Sequence, residues 1–395
     1  MDRRHHRRRS TDRADLHALI ASKEMVLVCG SGGVGKTTAA AALAVSAVTE
    51  IGGRVLVLTV DPARRLADAL GVGHIGNEAT RVPDSAFLDA GVEPRGELWA
   101  AMLDTKAGWD ELIHLHAPDA KTRDAVLANS TYQNLASRFV QSHDYLAMER
   151  LHELHASGEY DLIVVDTPPS RNALDILDAP RKMKDFFRSW LLRWLTVPYR
   201  SRLFSMASKP FYQIADRVLG SRFLEDIAEF FMLFQIMEKG FVRHADEVER
   251  LLADPRTTFV VVSTLEAAPS YEAAYFAREL VRREYHLGAI IANRVLPVAM
   301  TAKASATSAR KLVKAADGEL AEQIAEQIGA KPQVVTEVLA EVGNRFHDVA
   351  VVATREAERR AELSDLCHLL VAAPVLDRDV NDVADLLELA AHFTA

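Results

Sequence analysis

The stretch Val26-Leu27-Val28-Cys29-Gly30-Ser31-Gly32-Gly33-Val34-Gly35-Lys36-Thr37-Thr38, followed at once by Ala39-Ala40-Ala41-Ala42-Leu43-Ala44-Val45, decides how the rest of the chain is read. An apolar run of strand formers opens into a glycine-rich loop with the spacing GxxxxGK[ST], and the loop opens into an alanine-rich helix. Glycines let the backbone turn its N–H groups inward around phosphates, and a helix N-terminus adds positive potential there. In that pattern Lys36 reaches the β- and γ-phosphates of a nucleotide and Thr37 offers its hydroxyl to Mg²⁺. Gly30, Ser31, Gly32, Gly33, Val34, Gly35, Lys36, Thr37 and Thr38 are therefore the candidate nucleotide-binding loop.

Two further strands end in aspartate. RVLVLTV (54–60) stops at Asp61-Pro62, and YDLIVVD (160–166) stops at Asp166-Thr167-Pro168-Pro169. A carboxylate at the C-terminal end of a parallel strand faces the ligand crevice of a doubly wound sheet. There Asp61 can orient water near a γ-phosphate, and Asp166 can act on the Mg²⁺ side. Strands alternate with helical stretches along the chain, so the expected fold is a mostly parallel, doubly wound α/β sheet with helices on both faces.

Composition sets the remaining bounds. At 395 residues, with 49% hydrophobic and 26% charged residues, the chain reads as globular and can bury a large core. Its net charge of −8 gives no global attraction to nucleic acid, so nucleic-acid binding is not expected. The two cysteines, Cys29 and Cys367, form no CxxC pair and suit a reducing compartment. With no long uncharged apolar run and no apolar signal core at the N-terminus, a soluble, cytoplasmic protein is expected, with peripheral membrane contact allowed.

The motifs resemble the ATPase family that includes the arsenical pump-driving ATPase and the cytosolic ATPase that targets tail-anchored membrane proteins. DPARRLADAL (61–70) resembles the family's first switch segment, and VVDTPPSRNALDIL (164–177) its second. GAIIANRVLP (288–297) resembles the strand whose terminal asparagine reads adenine, and APVLDRDVNDVADL (373–386) the segment that closes over the base. The resemblance implies Mg²⁺-dependent ATP hydrolysis, with Lys36, Asp61 and Asp166 as the catalytic set. Thr37, Asp61 and Asp166 would hold Mg²⁺, partly through water, while Asn293, Arg294 and Pro374 would contact the base. It further implies that ATP opens and closes a dimer to energise or regulate a membrane-associated process, either anion or metabolite transport or membrane-protein delivery.

Three departures from the family pattern carry information. The family loop GKGGVGKT has a lysine where this chain has Ser31, and serine cannot deliver a cation across a dimer interface. A heterodimer with a lysine-bearing paralogous ATPase is therefore favoured over a homodimer, and a weakly hydrolysing regulatory subunit is the alternative. The thiolates that bind arsenite or zinc in relatives are missing, so neither site is expected. The His114/His116 and His152/His155 pairs, spaced by two and by three on charged helical ground, read as solvated side chains. Finally, a single P-loop occurs, so the two halves of the duplicated pump would come from two chains.

The expected organisation is a disordered basic tail at 1–14, an ATPase core at 15–178 and 254–395, and an inserted helical subdomain at 179–253. Within the insertion, 181–202 carries seven basic side chains against one acid, interleaved with Phe186, Phe187, Trp190 and Trp194. FLEDIAEFFMLFQIM (223–237) is apolar almost all round and needs partners on all sides. It is either the centre of the subdomain or the lining of a groove for a membrane protein or other hydrophobic client. Residues 300–365 read as two or three solvated, charge-laced helices.

Overall fold

The computed structural model describes residues 16, 18–59, 65–73, 75–103, 105–136, 143–167, 174–188, 221–315 and 318–393. Its centre is one sheet of eight strands: β1 (Met25–Cys29), β2 (Gly53–Thr59), β3 (Thr80–Arg81), β4 (Gly96–Met102), β5 (Leu162–Asp166), β6 (Thr257–Thr264), β7 (Leu287–Val295) and β8 (Leu370–Pro374). Their spatial order is β3-β4-β2-β5-β1-β6-β7-β8. All neighbours run parallel except β3, a two-residue edge strand antiparallel to β4 that the sequence pattern does not reveal.

Strands buried on both faces must be apolar at every position, which is why β1, β5 and the middle of β6 are near-continuous aliphatic runs. Their side chains still alternate. Val26, Val28, Val164, Val260 and Val262 face a core shared with the P-loop helix Lys36–Ser46 and the closing helix Val383–Phe393. Met25, Leu27, Cys29, Val165 and Val261 face the opposite core, completed by the helices His143–Ser157, Glu238–Ala253 and Ala267–Arg282. The expected layers are present.

A third core lies off the sheet. It gathers Trp109, Leu112 and Ile113 from the helix Thr105–His116, Tyr145 and Leu146, and Phe187, Phe230, Phe234 and Phe241. Helices preceding β5 thus share one apolar interior with the helices that follow it. Phe187 stacks on Phe234 at 5.3 Å between centroids, and Phe234 on Phe241 at the same distance. The helix Ser221–Ile236 is the centre of this body along Phe230 and Phe234, but it is not covered all round: Ile236 is 50% exposed.

Residues 300–365 form three helices, the last running from Pro332 to Ser364. That helix is fastened to the ligand edge of the sheet: Arg359 Nη1 donates to the Leu265 carbonyl at 2.7 Å, and Glu356 accepts from Leu296 N–H at 3.0 Å. Among the described residues, no helix is long and apolar enough to cross a membrane. The basic tail at 1–14, Asp61, Arg64, the loop 168–173 and most of the basic-aromatic run (189–202) lie outside the described residues.

Candidate functional site

The parallel register builds the site before any side chain is considered. Val28 in β1 lies opposite Asp166 in β5, and Asp166 lies opposite Thr59 in β2, so the ends of three strands finish in one row. β5 is the direct neighbour of β1, and β2 lies one strand further out. The loop that follows β1 therefore springs up directly beside the carboxylate that ends β5.

That loop needs its glycines for specific reasons. Gly30 (φ 152°), Gly33 (φ 80°) and Gly35 (φ 94°) occupy the positive-φ region that residues with a Cβ avoid. Gly35 sits at the N-cap of the P-loop helix, whose first turn contains no acidic side chain to offset its positive end. Gly32 and Gly33 are exposed at the tip, whereas Val34 is buried and anchors the loop in the core.

The polar side chains converge beneath it. Lys36 is buried, and its ammonium donates to the Ser31 carbonyl at 2.9 Å, bridging the loop. Thr37 Oγ1 donates to Asp166 Oδ2 at 2.6 Å, and Thr59 Oγ1 donates to the same oxygen at 2.9 Å. Asp166 is itself buried. Thr167 Oγ1 donates to the Val28 carbonyl at 2.9 Å and ties the end of β5 to β1. Hydroxyl and carboxylate oxygens so grouped are the hard donors that Mg²⁺ takes.

Cys29, at the base of the loop, is fully buried, and that burial pushes its thiol up to about 12; Cys367 is raised to about 11 by the same cause. Both therefore stay protonated near neutral pH, the form that neither attacks nor ligates.

Asn293 approaches from β7. Its Nδ2 donates to the Val34 carbonyl at 2.8 Å, and its Oδ1 accepts from the Arg294 N–H at 3.0 Å, holding Arg294 in a left-handed turn with φ 56°. The amide thus fixes both the loop and the turn beyond its own strand, and it has a second N–H and a second lone pair to offer a base. Next to it opens a cavity of about 580 Å³ lined by Gly35, Thr37, Thr38, Asn293, Arg294, Pro374 and the 375–381 segment. That volume is within the usual range for small-molecule sites. The segment is held by a buried carboxylate, Asp385, which accepts from Asn381 N–H at 3.0 Å and pairs with Arg378 at 2.7 Å.

Every expected site residue within the described residues is thus drawn to one edge of the sheet. Thr59 is the addition, and only register brings it there. We expect Thr59→Val, which preserves shape and removes one donor to a buried carboxylate, to cost about 1.5–3 kcal/mol of stability. Urea unfolding measures this; an unchanged midpoint would mean that the hydroxyl contributes nothing to holding Asp166.

A glycine-rich loop between a central parallel strand and a helix, with a carboxylate at the tip of the adjacent strand, defines the P-loop nucleoside-triphosphatase class. Within that class the chain belongs to the anion-transporting ATPase family, which it matches over residues 23–341. It is similar to ATPase GET3 of Malassezia globosa, 27% identical over 278 residues that cover 70% of this chain and 73% of the relative. It also resembles ATPase get3 of Aspergillus niger, 25% identical over 344 residues (85% and 93%), and that of Schizosaccharomyces japonicus, 26% identical over 334 residues (84% and 93%).

Proposed function

We propose that this chain hydrolyses ATP with Mg²⁺ and uses the cycle of binding and hydrolysis to move its helical body within a dimer. The observation that carries the reading is the cluster of Thr37 with the buried Thr59 and Asp166, set against a lysine that already spans the phosphate loop. Phosphoryl transfer is chiefly positioning and charge neutralisation, and this is the equipment it requires. Thr37 and Asp166 would hold Mg²⁺, with Asp61 acting through water; when bound, the ion neutralises charge on the transferred phosphoryl group. Lys36 would leave the Ser31 carbonyl for the β- and γ-phosphates, and the loop amides would take the remaining oxygens. Asn293, Arg294 and Pro374 would contact the adenine end along the cavity. Asp61 would orient the attacking water, a role resting on the likeness of 61–70 to the first switch segment.

The output we favour is a membrane-associated process served from the cytoplasmic side, because the motifs resemble a family that includes a tail-anchored-protein targeting ATPase and because the aromatic side chains of the helical body neighbour, in sequence, the strongly basic run 181–202. On this reading, nucleotide-dependent contacts of the two switch segments would be passed through the helix Leu174–Arg188 into the 179–253 region. A hydrophobic client or membrane protein would be received there. Retention of a tail-anchored client peptide by the ATP-bound protein, and its loss on hydrolysis, tests this part; equal retention in every nucleotide state would sink it.

Ser31 favours a heterodimer in which a lysine-bearing paralogous ATPase supplies the missing charge. A cation donated across an interface to a phosphoryl group in flight is worth orders of magnitude in rate. Ser31→Lys is accordingly expected to raise turnover of the isolated chain by at least about tenfold. No gain in single-turnover hydrolysis at saturating ATP would show that the chain either needs no such charge or obtains it from an arginine of its own.

A further inference from the structure

Away from the nucleotide edge, six titratable side chains meet between three helices. The spacing of His114/His116 and His152/His155 predicts solvated imidazoles, yet His116 is buried, its ring packed 4.2 Å from that of Phe241 and against the backbone at Gly240, where a methyl group would come within 3.0 Å of Nδ1. Its Nε2 is inaccessible to solvent and has no hydrogen-bond partner. That nitrogen points at Glu149, 3.9 Å away and likewise buried. Glu149 accepts from the Tyr145 hydroxyl through one oxygen and lies 3.1 Å from His244 Nδ1 through the other. On its far side His244 faces Glu247, which His152 also approaches at 3.8 Å. An unsatisfied nitrogen in so dry a place is destabilising, which makes it a candidate to bind something the chain itself does not supply.

We propose that His116, Glu149 and His244 form a binding site for one zinc-class divalent cation that clamps the helical body to the ATPase sheet. The donor set is two imidazoles and a carboxylate, which suits Zn²⁺ or Co²⁺ and leaves a fourth position open. Mg²⁺ and Ca²⁺ prefer all-oxygen sites, and soft metalloids prefer thiolates. Metal bonds of 2.0–2.2 Å in tetrahedral geometry put ligand atoms about 3.4 Å apart. His244 Nδ1 lies 3.1 Å from one Glu149 oxygen and His116 Nε2 lies 3.9 Å from the other, and one ligand atom from each of the three residues lies within 4.8 Å of the other two, so small side-chain adjustments would bring them to that spacing. The Tyr145 phenol on Glu149 supplies the outer hydrogen bond that fixes a ligating carboxylate.

The ring states agree with this. Burial, partly opposed by Glu149, holds His116 down to about 4, so it is neutral and offers a lone pair. His244 is raised, first by its hydrogen bond to Glu149. The three ligands come from the helices Thr105–His116, His143–Ser157 and Glu238–Ala253. The last two also carry Met148, Leu151, Val248 and Leu252 into the core under the sheet. The cation would therefore sit on the seam between the helical interior and the sheet interior, and its occupancy would set how firmly the two are joined. The inference stands independently of ATP hydrolysis.

The test uses the full chain, treated with chelator, dialysed and titrated with Co²⁺, and reads visible absorption, bound metal and thermal midpoint rather than activity. One Co²⁺ per chain, with the absorption of a four-coordinate centre, displacement by Zn²⁺ and a raised midpoint, is the expected result. His116→Asn and His244→Gln should each weaken binding at least tenfold, whereas His5→Ala/His6→Ala should leave the absorption unchanged. His244 is partly exposed, and glutamine keeps a donor toward Glu149, so that variant remains informative should His116→Asn fail to fold. A folded chain that takes up neither Co²⁺ nor Zn²⁺ would overturn the proposal, leaving the cluster a purely proton-linked network. Binding retained in His244→Gln but lost in His5→Ala/His6→Ala would overturn it equally, by moving the metal to the N-terminal histidines.

Discussion

Lys36→Ala is expected to lower ATP turnover by about 10²–10³-fold or more while leaving the fold intact, because the ammonium is the only cation that the phosphate-loop motif itself supplies at the site. Removal of a preorganised charge from a water-poor pocket forfeits stabilisation that solvent cannot replace as the phosphoryl group transfers. The fold should tolerate the change, since the ammonium's bond to the Ser31 carbonyl lies in the loop and not in the apolar core. The apolar packing below it comes from Val34 and the alanines of the P-loop helix. Single-turnover hydrolysis, with magnesium-dependent binding of a fluorescent adenine nucleotide in parallel, separates the outcomes. Loss of turnover with weakened binding is the expected pair. Turnover equal to the parent chain would remove the phosphate loop from catalysis, and with it the proposed function, while leaving the cation site untouched.

How much of this was legible in the sequence depends on how far apart the cooperating residues lie. The phosphate loop is local: its glycines, Lys36 and Thr37 occur within eight positions, and the spacing carries its own geometric reason. Asp166 is nearly as local, since a strand-terminal carboxylate faces the ligand edge in any doubly wound sheet. Asn293 and Pro374 were reachable only through resemblance to a family, because nothing about an isolated asparagine says that it will close on the Val34 carbonyl 259 residues earlier. Thr59 was not legible at all: its partner is 107 residues away, and the contact exists because β2 and β5 are in one register.

The same reasoning explains His116. Its local sequence looks solvated, and burial comes from the close approach of Gly240 and Phe241 on a helix more than a hundred residues later. Yet one signal was available. Glu149 and His152 are spaced by three, as are His244 and Glu247, so each helix presents a carboxylate and an imidazole on one face. The helical core shows the limit from the other side: a greasy run announces burial, but not that Trp109 and Ile113, from before β5, would supply part of it.

Gly30→Ala is expected to be severely damaging for the addition of a single methyl group, lowering stability by about 3 kcal/mol or more. β1 pairs with β6 as far as Cys29 opposite Val261, so Gly30 passes directly beside Val262. A methyl group on Gly30 would lie 2.2 Å from the Val262 carbonyl oxygen, where real contacts do not occur, and the φ of 152° is itself a glycine conformation. Neither party can retreat, because the oxygen is main chain in a central strand. The control is Gly33→Ala at the exposed tip of the same loop. There φ is 80°, but nothing lies within 4 Å of the added methyl group, so only the backbone penalty of about 1–3 kcal/mol applies. Urea unfolding of the two variants should thus rank Gly30→Ala well below Gly33→Ala, and its damage should extend to nucleotide affinity, since the loop springs from the displaced point. Equal losses in the two variants would mean that the strand beside β1 yields to the methyl group, and that the close approach of loop and sheet does not hold the site in shape.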